Sequence, residues 1–95
     1  MATYTLRHSG MSHDPDDYVF HCNGAEVGRC YLRPLAGNSV KWSWSIYVGI
    51  HVKRIVEGVS LFGYCGTLQE AEAQFRVNFD RLIAAGVVAL PDHPL

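Results

Sequence analysis

The sequence predicts a small α+β domain: an antiparallel sheet of three to four strands in the order β-β-β-(β)-α, covered on one face by a single C-terminal helix. Three features carry that prediction. They are a hairpin signal around Asn23-Gly24, an alternating run from Val40 to Val48, and a capped amphipathic stretch from Thr67 to Gly86. The 95 residues are enough for one domain with one core. A composition of 48% hydrophobic and 18% charged residues belongs to a folded chain rather than a disordered one.

Residues 1–16 read as a loop-rich N-terminal segment, in which Thr3 to Arg7 could form a short strand and His8 to Asp16 reads as turn and loop. Residues 17–65 carry the sheet. Tyr18-Val-Phe-His-Cys22 is rich in strand formers, Asn23-Gly24 tolerates the positive φ of a tight turn, and Glu26 to Leu32 returns. A two-residue turn would pair Phe20 with Val27, whereas a three-residue turn with a bulge would pair Val19 with Val27. The sequence leaves both registers open, and a slip of one residue exchanges the inner and outer faces.

Pro34 to Ser39 is a loop. After it, Val40, Trp42, Trp44, Ile46 and Val48 alternate with Lys41, Ser43, Ser45 and Tyr47, the pattern of a strand with one side on the core. Gly49 to Gly58 contains a turn, and Val59 to Cys65 is another short strand, broken by Gly63. Residues 67–86 form the helix. Thr67-Leu-Gln-Glu70 fits a capping box, with the Thr67 hydroxyl on the Glu70 N–H and the carboxylate reaching back. Leu68, Ala71, Phe75, Phe79, Leu82 and Ile83 make one apolar stripe, Glu72 and Arg76 are spaced as an ion pair, and Gly86 ends the helix. The stripe and the tryptophan face are the two largest apolar surfaces, so Phe75 and Phe79 should lie against Trp42 and Trp44. Residues 87–95 are an extended tail, free to add an edge strand or to pack across the helix.

Chemistry is harder to find. His8, His13, His21, His51, His93, Cys22, Cys30 and Cys65 invite a metal site, but no C-x-x-C, C-x-x-H or H-x-x-x-H pair seeds one. His21 and Cys22 are adjacent on a strand and point to opposite faces. Cys65 precedes the helix N-terminus, where a thiolate would feel the dipole, yet no base can be assigned to it. Asp14, Asp16 and Asp17 suit a solubilised loop or a capped turn. There is no G-x-S-x-G elbow, G-x-G-x-x-G turn or Walker pattern, so no enzyme activity and no cofactor are expected. No export signal or membrane-length apolar run is visible, and the odd cysteine count suits reduced thiols. A cytoplasmic protein with no membrane partner is expected.

The order Asp17-Tyr18-x-Phe20, Asn23-Gly24-x-x-Val27-Gly28-Arg29, Trp42-x-Trp44-x-Ile46 and Gly63-Tyr64-x-x-Thr67-x-x-Glu70-Ala71-x-x-x-Phe75 resembles a group of small uncharacterised bacterial proteins. These share a G-x-x-V-G-R hairpin, a W-x-W strand and a T-x-x-E-A helix start. The likeness spans about residues 17–80 and implies no activity. Gly66-Thr67-x-x-Glu70-Ala71 and the tail from Gly86 to Pro91 are also similar to antitoxins of the HicB type. That second likeness implies a small domain docking on a partner protein. The F-P-D-L-P-G-C strand signature of those antitoxins and their appended DNA-binding module are absent from this sequence.

Charge gives the remaining lead. The net charge of −1 disfavours a dedicated duplex binder, but Arg29, Arg33, Lys41, Lys53 and Arg54 occur between Val27 and Val56 with no acid among them. Arg29, Tyr31, Arg33, Lys41 and Tyr47 are therefore the candidate interaction surface. The expected function is a non-enzymatic binding or protein-interaction domain, with a protein partner or a second copy of the chain as its ligand. An RNA contact through the basic half, with Tyr31 and Tyr47 stacking, is the lesser alternative, and nucleic acid is not the expected partner. A homodimer is expected through the uncharged strand Val59 to Tyr64, the tail Val87 to Leu90, or the small residues Ala73, Val77 and Ala84.

Overall fold

A computed structural model describes residues 2–9, 16–34, 37 and 39–90 of the chain. His13, Asp14, Pro91 and His93 lie outside the described residues. The strands are β1 (Tyr4–His8), β2 (Asp17–Cys22), β3 (Ala25–Pro34), β4 (Val40–Ile46) and β5 (Phe62–Cys65), followed by helix α1 (Leu68–Ala84). They form one antiparallel meander in the order β1-β2-β3-β4-β5, with α1 packed across one face. This is the α+β architecture that the periodicities predict. The strand at the N-terminal edge, β1, arises where the sequence is ambiguous, within the segment read as loop-rich.

The hairpin register explains which side chains face outward. Asn23 (φ 52°) and Gly24 (φ 83°) make a two-residue turn with both positions left-handed, so Cys22 pairs with Ala25 and His21 with Glu26. Then the register shifts, and Phe20 pairs with Gly28 rather than with Val27. Neither pairing anticipated for Val27 forms, because a bulge follows a two-residue turn. Val27 is fully buried, and Gly28 also faces the helix, since a Cβ there would strike the Phe75 ring. Two consecutive inward residues reset the alternation. Cys30 then points to the core while Arg29, Tyr31 and Arg33 point away from it.

Phe75 is the centre of the core. Its ring stacks on Phe20 at 3.9 Å and on Phe79 at 5.6 Å, and Trp44 meets it edge-on at 6.3 Å. Trp44 is 1% exposed and donates its indole N–H to Gln74 at 3.1 Å. Trp42 is only half-buried and tilts against Tyr18, and Phe79 finds Tyr4 rather than a tryptophan. Along the helix, Phe75 thus meets Phe20 and Trp44 while Phe79 meets Tyr4 of β1.

Thr67 caps α1 by accepting the Glu70 N–H at 3.1 Å, and its hydroxyl reaches the Glu70 carboxylate at 3.2 Å. Gly86 (φ 74°) follows the last turn. Two details differ from the sequence pattern. Ile83 is solvent-exposed, at the margin of the stripe, and Arg76 lies over the Tyr4 ring instead of pairing with Glu72. The described part of the tail, residues 87–90, is held by its own chain. Val88 bridges Val52, Ala89 donates to the His51 carbonyl, and Lys53 donates to that of Val87. No helix among the described residues is long and apolar enough to cross a membrane.

Candidate interaction surface on the uncovered sheet face

All five candidate residues fall on one face, the side of the sheet opposite α1. Arg29, Tyr31 and Arg33 occupy alternate positions of β3, Lys41 stands across from Arg33 on β4, and Tyr47 follows the end of β4. The register also brings in residues that the sequence did not single out. Tyr31, Ser43 and Tyr64 form one row across β3, β4 and β5, and Arg29, Ser45 and Phe62 form the next. Small serines thus line the middle strand between larger side chains on either flank.

Asp17 anchors one flank. Its carboxylate is 3% exposed and accepts two bonds from Arg29, Nε to Oδ1 at 2.9 Å and Nη2 to Oδ2 at 2.6 Å. The guanidinium in turn lies 4.8 Å over the Tyr31 ring. Hydrogen bonding to Asp17 raises the Arg29 pKa further, so its charge is permanent but already matched. Arg29 therefore acts mainly as a strut that orients Tyr31.

The other flank is less committed. Arg33 and Lys41 are like charges directly opposite each other, an arrangement that costs stability in a sheet. Among the described residues neither forms an ion pair, and Arg33 makes only a long contact of 3.4 Å to the Tyr64 hydroxyl. In the next row Tyr64 is 46% exposed, and one row further Phe62 is 68% exposed, both on strand β5 at the sheet edge. Two cations and two aromatic rings thus occupy successive rows of one exposed face.

Beyond the end of β4, Glu26, Val27, Tyr47, Ile50 and His51 line a cavity of about 260 Å³. Burial, with the Glu26 charge second, raises the Tyr47 pKa, so the phenol stays a neutral donor. His51 Nδ1 lies 3.1 Å from the Ala89 carbonyl, which can only accept, so Nδ1 donates this bond. The volume is just below the range of ordinary small-molecule sites, about 300–1,000 Å³.

The cysteines are free, buried thiols. Burial raises Cys22 to about 11 and Cys30 to about 12, and burial followed by the Glu70 charge raises Cys65. Cys65 is thus held toward the thiol, the opposite of what an activated nucleophile requires. Among the described residues no three His, Cys, Asp or Glu side chains are grouped to hold a metal.

Asp17, Phe62 and Tyr64 are the residues that sequence reasoning passed over. Asp17 reads as a loop acid until the hairpin register places Arg29 over it. Phe62 and Tyr64 flank Gly63, which looks like a strand breaker but faces the core, where a Cβ would lie 2.7 Å from Trp44 Nε1. Compared with known protein families, characterised proteins and solved structures, the chain matches none.

Proposed function

We propose that this protein is a non-enzymatic binding domain that works through the sheet face opposite α1. The observation that carries this reading is the exposed set Arg33, Lys41, Phe62 and Tyr64, on a scaffold whose other face is used up by the core. The sheet supplies rigidity, the bulge at Val27 aims β3 outward, and the Asp17–Arg29 pair stiffens one flank. Three cysteines kept as thiols suit a reducing compartment and support a cytoplasmic location.

Affinity capture from cells with the full chain and with Arg33→Glu/Lys41→Glu tests the reading. Material retained by the natural chain and lost from the variant supports it. Identical retention by both, with both folded, refutes it.

A second reading, association of two copies along β5, is favoured by the character of that edge. Phe62–Cys65 carries no charge or proline and has one side unpaired in the sheet. Two such edges related by a two-fold axis would continue the sheet across both subunits. The tail Val87 to Leu90, held against His51 and Lys53, is the weaker candidate for that contact.

A further inference from the structure

We infer that the occupant of the open face is a single-stranded nucleic acid, with phosphates on Arg33 and Lys41 and bases stacked on Phe62 and Tyr64. This rests on the binding-domain reading above and adds the class of ligand. Charge comes first. A pair of facing cations with no carboxylate paired to them among the described residues is costly as built, and a polyanion laid between them removes the repulsion.

Shape comes second. Phe62 and Tyr64 project from the same side of β5 two residues apart, roughly 7 Å along the strand. Both rings are exposed, and each can take the face of one base. The Arg33 guanidinium touches the Tyr64 hydroxyl, so the cations begin where the aromatic row ends. Backbone charge and base faces of one strand would therefore meet their partners side by side.

The face also selects against a duplex. Among the described residues no helix or ribbon projects from it to enter a groove, and stacked base pairs hide the surfaces that Phe62 and Tyr64 would contact. An acidic peptide would satisfy Arg33 and Lys41 but gives no reason for exposed rings beside them. RNA and single-stranded DNA offer the same phosphates and base faces, so the proposal covers both.

Fluorescence anisotropy with labelled oligouridine, oligothymidine and a duplex of equal length tests it, using the full chain. Two phosphate contacts predict a log–log salt slope of about −1.4, or about a sevenfold loss of affinity between about 50 and 200 mM salt. Arg33→Glu and Lys41→Glu should each weaken binding and flatten the slope. Phe62→Ala and Tyr64→Ala should each weaken it about fivefold or more with the slope unchanged. Melting temperatures close to that of the natural chain exclude unfolding as the cause.

Tighter binding to one of the two single strands still supports the proposal and assigns the nucleic acid. Equal binding to the duplex, or indifference to Phe62→Ala and Tyr64→Ala, overturns it. So does a failure to bind either single strand at low salt. If that failure comes with cellular material captured by the natural chain and lost from Arg33→Glu/Lys41→Glu, the binding face stands and only the occupant is wrong. If capture is also unchanged, both fall.

Discussion

Gly28→Ala isolates the contact that joins helix to sheet. An alanine Cβ at this position would fall well inside van der Waals contact of the Ser45 carbonyl oxygen and the Phe75 ring. Neither obstacle can yield easily. The carbonyl belongs to the adjacent strand β4, and the ring is stacked between Phe20 and Phe79. Overpacking of this kind costs about 1–3 kcal/mol, and a backbone obstacle places the expectation at the upper end, about 3 kcal/mol. Against a total stability on the order of 5–14 kcal/mol for this length, that loss is large. Urea unfolding followed by circular dichroism should show a lower midpoint with an unchanged m-value. Adding Phe75→Leu should recover part of the loss, with a coupling of about 1 kcal/mol or more. A loss below about 0.5 kcal/mol, or additive effects of the two substitutions, would refute this account of how α1 sits on β3.

Trp44→Ala should cost about 3–5 kcal/mol and Trp42→Ala clearly less, because only Trp44 is fully enclosed; paired urea titrations decide it. Stability should fall as pH rises from about 9 toward 12. Cys22 and Cys30 ionise near 9 when unfolded but only near 11 and 12 when folded, so alkali stabilises the unfolded chain first; urea midpoints measured across that range check the sign. Light scattering at micromolar concentration should give a dimeric mass that an arginine at Phe62 lowers to that of one chain; a single-chain mass for the natural protein rejects association through β5.

Much of this fold is legible in the sequence because its signals are local. The alternation from Val40 to Val48, the Thr67 cap and the Phe75–Phe79 stripe each depend on residues within a few positions of one another. The outward face is legible only in part. Lys41, Ser43, Ser45 and Tyr47 follow directly from the alternation of β4. Arg29, Tyr31 and Arg33 do not, since their direction depends on a bulge that no period-two pattern reveals. Asp17 anchors Arg29, which lies twelve residues away in sequence. Phe62 and Tyr64 are masked by Gly63, whose role is to admit the indole of Trp44. β1 is short and pairs only with β2, so little in its own residues marks it as a strand.

The central claim is that ligand binds the face opposite α1 through the β3–β5 side. Mapping backbone amide shifts by NMR while titrating oligouridine tests it most directly. Perturbations are expected at Arg33, Lys41, Ser43, Phe62 and Tyr64, with the outward positions of α1, such as Ala73 and Val77, unmoved. Perturbations centred on α1, or on the cavity beside His51 with β5 silent, would contradict it.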